Sequence, residues 1–139
     1  MNLFSETFTS GTFTSTRHQR YESGVPVMGL QNCNRSVKIE KNINGHPGYN
    51  IPNNFGYIIT IINLDTNYVQ MSPKPMKIVE QSAERLLLKG YKTEVVSPFG
   101  GLIDFDLSNY GFEIINNGDQ IEKCILYMYD RNVRIEYYK

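Results

Sequence analysis

The last thirty residues fit almost nothing but an antiparallel meander. Three strand-like runs, 111–116, 120–129 and 133–138, are separated by Asn117-Gly118 and by Asp130-Arg131-Asn132. Asn-Gly is a strong hairpin signal, because both residues tolerate the positive φ of a two-residue primed turn. The last run puts Val133, Ile135 and Tyr137 on one face and Arg134, Glu136 and Tyr138 on the other, as in a half-buried strand. The middle run differs. Strict alternation sets Ile121, Ile125, Tyr127 and Tyr129 against Cys124, Leu126 and Met128, so both faces are apolar and both need covering.

The rest of the chain extends the pattern. Residues 56–64 are the most hydrophobic run, and their β-branched content reads as a central strand. Residues 36–43 return to period two, and 68–71 read as a short partner strand after a turn at Asp65-Thr66-Asn67. Ser72-Pro73-Lys74-Pro75 reads as an extended turn, since proline cannot donate to a ladder. Residues 76–89 suit either a helix or, preferably, part of a hairpin that pairs Lys77–Gln81 with Arg85–Val95 around Ser82-Ala83-Glu84. Residues 102–107 read as a short strand or turn leading into the meander. Residues 1–23, where threonine and serine alternate with Phe4, Phe8 and Phe13, read as an edge hairpin turned at Ser10-Gly11 or as a mobile arm. Residues 22–35 and 44–54 are rich in glycine, proline and asparagine and read as loops. The fold expected is all-β, an antiparallel sandwich or small barrel of about eight to ten strands in one domain, 1–139, with at most one short helix.

The segment Asn117-Gly118-Asp119-Gln120-Ile121-Glu122-Lys123-Cys124-Ile125-Leu126, followed by Arg134 and Tyr137, resembles the closing hairpin of intracellular lipid-binding barrels over about twenty residues. That resemblance is one of fold; a small-ligand cavity is a separate expectation, drawn from the two apolar faces of 120–129.

Composition narrows the function further. Fourteen cationic and fourteen acidic side chains give a formal net charge of zero, which argues against a dedicated nucleic-acid binder. No apolar run is long enough for a membrane helix, and residues 1–6 lack the basic and apolar regions of a signal peptide, so a cytoplasmic protein without a membrane partner is expected. Cys33 and Cys124 form no C-x-x-C pair and read as free thiols. One alanine and no tryptophan, beside fourteen asparagines, fourteen isoleucines and ten tyrosines, is the usage of an AT-rich genome and fits a phage or mobile element.

Catalytic chemistry finds few parts. A Cys33 nucleophile with His18 or His46 as base has no recognisable signature around it. Asp104 and Asp106 share a strand face and can in principle hold a cation, but no H-x-H, H-E-x-x-H or EF-hand pattern accompanies them. Gly100-Gly101 leads into a strand rather than a helix, so it is no phosphate cradle. Arg17-His18-Gln19-Arg20-Tyr21 is a small basic cluster that reads as a solvated loop. No catalytic residue, metal or cofactor is assigned. Tyrosine is the feature left over, because its ring is apolar and its tip polar, as suits a surface buried on binding. The candidate binding residues are Tyr110, Tyr127, Tyr129 and Tyr138, with His46 and Tyr49 from the adjoining loop. The reading preferred is a non-enzymatic module that binds another protein, or itself through exposed sheet edges; the alternative is a ligand-binding barrel, and a small hydrolase ranks below both.

Overall fold

A computed structural model describes residues 10–41, 56–90, 92–96 and 99–139, with backbone alone for 93–96 and 102–105. Among the described residues eleven strands occur in chain order: β1 (Ser10–Glu22), β2 (Val25–Pro26), β3 (Gln31–Lys41), β4 (Tyr57–Asn63), β5 (Tyr68–Gln81), β6 (Arg85–Lys89), β7 (Lys92–Val96), β8 (Leu102–Asp106), β9 (Tyr110–Asn117), β10 (Gln120–Met128) and β11 (Val133–Tyr138). Eight of them, β1, β3, β4, β5, β6, β9, β10 and β11, form an antiparallel ring that β11 closes by pairing back onto β1. The barrel, rather than the sandwich, is the all-β form this chain adopts. The short strand β2 extends β3's side of β1, and β7 and β8 form a separate hairpin between β6 and β9.

Alternation decides what the barrel encloses. Phe13, Val37, Ile39, Tyr57, Ile59, Ile61, Met76, Leu86, Leu88, Phe112, Ile114, Leu126 and Tyr137 converge in one buried cluster. Each large apolar side chain removed from water contributes about 1.5–3 kcal/mol, so this lumen is the main source of stability. Curvature comes from irregularities in register. Shifts occur between Ser15 and Arg17 in β1, at Ile59–Ile62 in the β4–β5 ladder, and between Ile121 and Lys123 in β10. Bulges of this kind sharpen the twist that a closed sheet needs.

Long-range pairing overrides local signals at several places. Ser10-Gly11 does not turn; both residues pair with β3, and 10–22 are one strand, so neither a hairpin at that point nor a mobile arm describes them. Residues 17–21 are strand rather than loop for the same reason, paired with β11. Ser72-Pro73-Lys74-Pro75 lies inside the fourteen-residue β5. Its prolines are accommodated because β6 pairs only with Lys77–Gln81, leaving the earlier part of β5 beyond β6's reach, and because the ladder to β4 is bulged there. The turn of the expected hairpin is present, with the Ser82 amide donating to the Arg85 carbonyl at 2.8 Å, but its second strand stops at Lys89 rather than Val95, and Lys92–Val96 pair with β8 instead. The β9–β10 turn falls one residue later than expected, on Gly118-Asp119, with Gly118 at φ +65°. The β10 bulge also moves Ile121 onto the inner face with Cys124 and Leu126, away from Ile125 and Tyr127. The last turn is as expected: a 3-10 turn (Tyr129–Arg131) ends on Asn132 in the left-handed region, at φ 51° and ψ 46°.

Phe112 is fully buried opposite Leu126 and Leu88. Phe112→Ala is expected to lower the unfolding free energy by about 3–5 kcal/mol, read from urea denaturation.

Candidate functional site

The tyrosines of the meander divide between the two faces of the barrel wall. Tyr127 pairs with Arg134, and Arg134 in turn pairs with Tyr21, so three side chains stand in a row across the outside of β10, β11 and β1. The Arg134 guanidinium lies 4.0 Å from the centre of the Tyr21 ring, within cation–π range. On the other flank Tyr127 and Tyr129 stack, with centroids 5.7 Å apart and planes 8° from parallel. Tyr129 can reach that position because Gly111 lies beneath it; a Cβ on residue 111 would collide with the ring. Lys89 Nζ sits 5.4 Å from the Tyr129 centroid. Between the flanks is an open hollow of about 240 Å³ bounded by Tyr21, Gly24, Tyr127, Tyr129, Asn132 and Arg134.

Two outward-pointing carboxylates support this surface. Glu113, only 5% exposed, accepts a 2.8 Å hydrogen bond from the Tyr127 hydroxyl and a second from Arg85 Nε. Glu136, 6% exposed, accepts from Lys123 (3.2 Å), Arg134 (3.0 Å) and the Tyr138 hydroxyl (2.7 Å). A buried charge without such partners is costly, so these hydrogen bonds fix the tyrosines and Arg134 in place. Burial, then donation to Glu113, pushes the Tyr127 phenol well above its ordinary range. Tyr138 is pushed up to about 12 by burial and by its bond to Glu136. Both phenols are therefore protonated near neutral pH. The surface offers aromatic faces and a guanidinium edge.

Of the residues picked out by sequence, Tyr127 and Tyr129 line the hollow. Tyr138 lies on the same outer face, paired with Lys123, whose Nζ is 5.8 Å from its ring. Tyr110 belongs elsewhere: it faces inward, packs against the core, and has Lys74 Nζ 5.8 Å from its ring. His46 and Tyr49 lie outside the described residues. Sequence reasoning missed Tyr21 and Arg134 as neighbours, since only the closing ladder brings them together. Among the alternative parts, Cys33 points inward with its sulfur 3.6 Å from both the hydroxyl and the carbonyl of Ser15. Cys33 and Cys124 are both free thiols. Asp106 accepts from the amide (3.0 Å) and hydroxyl (2.6 Å) of Ser108.

Comparison with protein-family models, curated proteins and solved structures returns no match. Among the described residues no helix is long and apolar enough to cross a membrane.

Burial alone would raise the Glu136 carboxyl, but bonds from Tyr138, Arg134 and Lys123, with the charge of Lys123, outweigh it and hold it below its ordinary value. A depressed carboxylate stabilises the fold above its unfolded pKa of about 4.3, and that contribution is lost as pH falls through the folded value. Glu136→Gln is expected to cost about 1–3 kcal/mol at neutral pH. It should also flatten the decline in stability below roughly pH 4, as measured by denaturation across a pH series.

Proposed function

We propose that this protein is a non-enzymatic interaction module of the cytoplasm that docks a segment of another protein on the outer face of β10, β11 and β1. The observation that carries this reading is the hollow between the stacked pair Tyr127–Tyr129 and the Arg134–Tyr21 pair. Tyrosine and arginine are the side chains most enriched at interface hot spots, because each covers much area with little freedom to lose. Here their polar ends are already held by Glu113 and Glu136, so the surface is preorganised and binding orders few further side chains. Tyr129 is 45% exposed, leaving contact area for a partner to cover. Apolar side chains continue from the same end of the barrel: Val25, Val27, Met28 and Leu30, in the connection from β1 to β3, are all exposed. A projecting aromatic ring or proline suits the hollow, stacking on tyrosine faces with its backbone within reach of Arg134. The residue usage described above supports a phage or mobile element as the source.

Two variants separate binding from folding. Tyr129→Ala removes one wall of the hollow, whereas Gly111→Ala keeps every tyrosine and displaces the Tyr129 ring. Each is expected to leave the melting temperature within a few degrees of the unsubstituted protein. Each should also weaken a partner isolated by crosslinking and mass spectrometry by at least about thirtyfold, the effect of a 2 kcal/mol hot spot. Affinity for that partner unchanged in both variants would remove this face as the docking site.

A further inference from the structure

The inner face of the wall carries a second, unrelated cluster. His18 on β1 is paired with Tyr137 on β11, both pointing inward, with ring centroids 6.3 Å apart. On the opposite side of β1, Arg35 of β3 stands across from Ser15, on the same inward face as Val37 and Ile39. Tyr137 is 1% exposed, yet its hydroxyl has no hydrogen-bond partner among the described residues, and neither has the buried Nδ1 of His18. Arg35 forms no ion pair among the described residues. Its one hydrogen bond there is a 3.4 Å contact from Nη1 to the carbonyl of Asn34.

This combination is unusual in a closed core. The partly exposed Arg35 guanidinium carries no carboxylate among the described residues. A buried hydroxyl normally finds an acceptor, since a buried group left unsatisfied costs about 1–3 kcal/mol. The outer wall is built that way throughout, with Glu113 and Glu136 each holding two or three donors. Beside His18 the inner face shows the reverse, the buried Tyr137 hydroxyl without an acceptor. Arg35 also lies near enough to depress His18, which burial already pushes below its ordinary value. A neutral imidazole there still has an N–H to give and adds no charge.

We propose that Arg35, His18 and Tyr137 form a binding site for the carboxylate of a small organic monoanion inside the barrel. The charge argument selects the class. One fixed cation flanked by neutral donors balances a single negative charge, whereas a phosphate dianion would keep one unit uncompensated in a low-dielectric interior. A carboxylate also has the planar pair of oxygens that a guanidinium binds through two parallel hydrogen bonds. Arg35, Cys33 and His18 are each partly exposed, so the cluster is reached from outside without unfolding the wall.

The test is a titration of the full chain with sodium butyrate at constant ionic strength, followed by calorimetry and by the imidazole resonances, with His46→Gln identifying the signal of His18. Saturable binding that shifts the His18 resonance is expected, with little response to chloride or inorganic phosphate. Arg35→Met should weaken butyrate at least tenfold. Tyr137→Phe, which removes only a hydroxyl and keeps the packing, should weaken it several-fold without loss of stability. No saturation with butyrate would overturn the site, as would saturation that Arg35→Met and Tyr137→Phe both leave unchanged. Tighter binding of phosphate than of butyrate would overturn the assignment of ligand class.

Discussion

The six residue pairs that join Arg17–Glu22 to Val133–Tyr138 hold the molecule in its closed form. Without them the same strands would make an open sheet with two long edges, each presenting unpaired amides and carbonyls to any neighbouring chain. The ladder also sets what faces what. Its odd-numbered β1 members place Tyr21 beside Arg134 on the outside, and the next residue but two, His18, sits beside Tyr137 on the inside. Both the aromatic hollow and the lumenal cluster are thus properties of one seam. Where the ladder ends, the buried Ser15 hydroxyl donates to the carbonyl of Tyr138 at 2.7 Å, tying the bulged part of β1 to the last strand after regular pairing has stopped.

A net charge of zero conceals how the charges are arranged. Carboxylates lie on the outer wall beneath tyrosine and arginine, and Arg35, on the inner face, forms no ion pair among the described residues. An outward Glu113 or Glu136 can be buried because long neighbours fold over it while their own ends stay wet; Arg85 and Lys123 do this, with 41% and 28% of their side chains exposed. The aliphatic stems cover the carboxylate and the charged heads remain in water. Inside, the Tyr137 hydroxyl has no such route to water and depends on whatever the lumen admits.

Much of this was legible in the sequence. The meander from β9 to β11, the hairpin between β5 and β6, and the strand character of β4 all follow from alternation and turn chemistry, which are local. What local reading could not supply is register between distant strands. Ser10-Gly11 looks like a turn until β3 is placed beside it, and Pro73 and Pro75 look like a break until β6 proves too short to need their amides. Ile121 shows the sharpest limit: a single bulge residue inverts its face, and strict alternation has no means of detecting one. The site divides the same way. Tyr127, Tyr129 and Tyr138 were visible as a crowd on adjacent strands, while Tyr21 enters only through closure and Tyr110 leaves because it points into the core.

Closure also has a consequence in time. The strand that seals the barrel starts at Val133, whereas its partner ends at Glu22, so more than a hundred residues must be made and arranged before the two can meet. Contacts of such separation form late, because the entropy of closing a long loop is lost before the pairing returns it. Until β11 is in place, β1 is held by β3 and β2 alone and carries a bare edge. The stretch of that edge that β11 covers carries Arg17 and Arg20 and follows a bulge, features that hinder pairing with another chain. The first strand of the barrel is therefore composed to wait for the last.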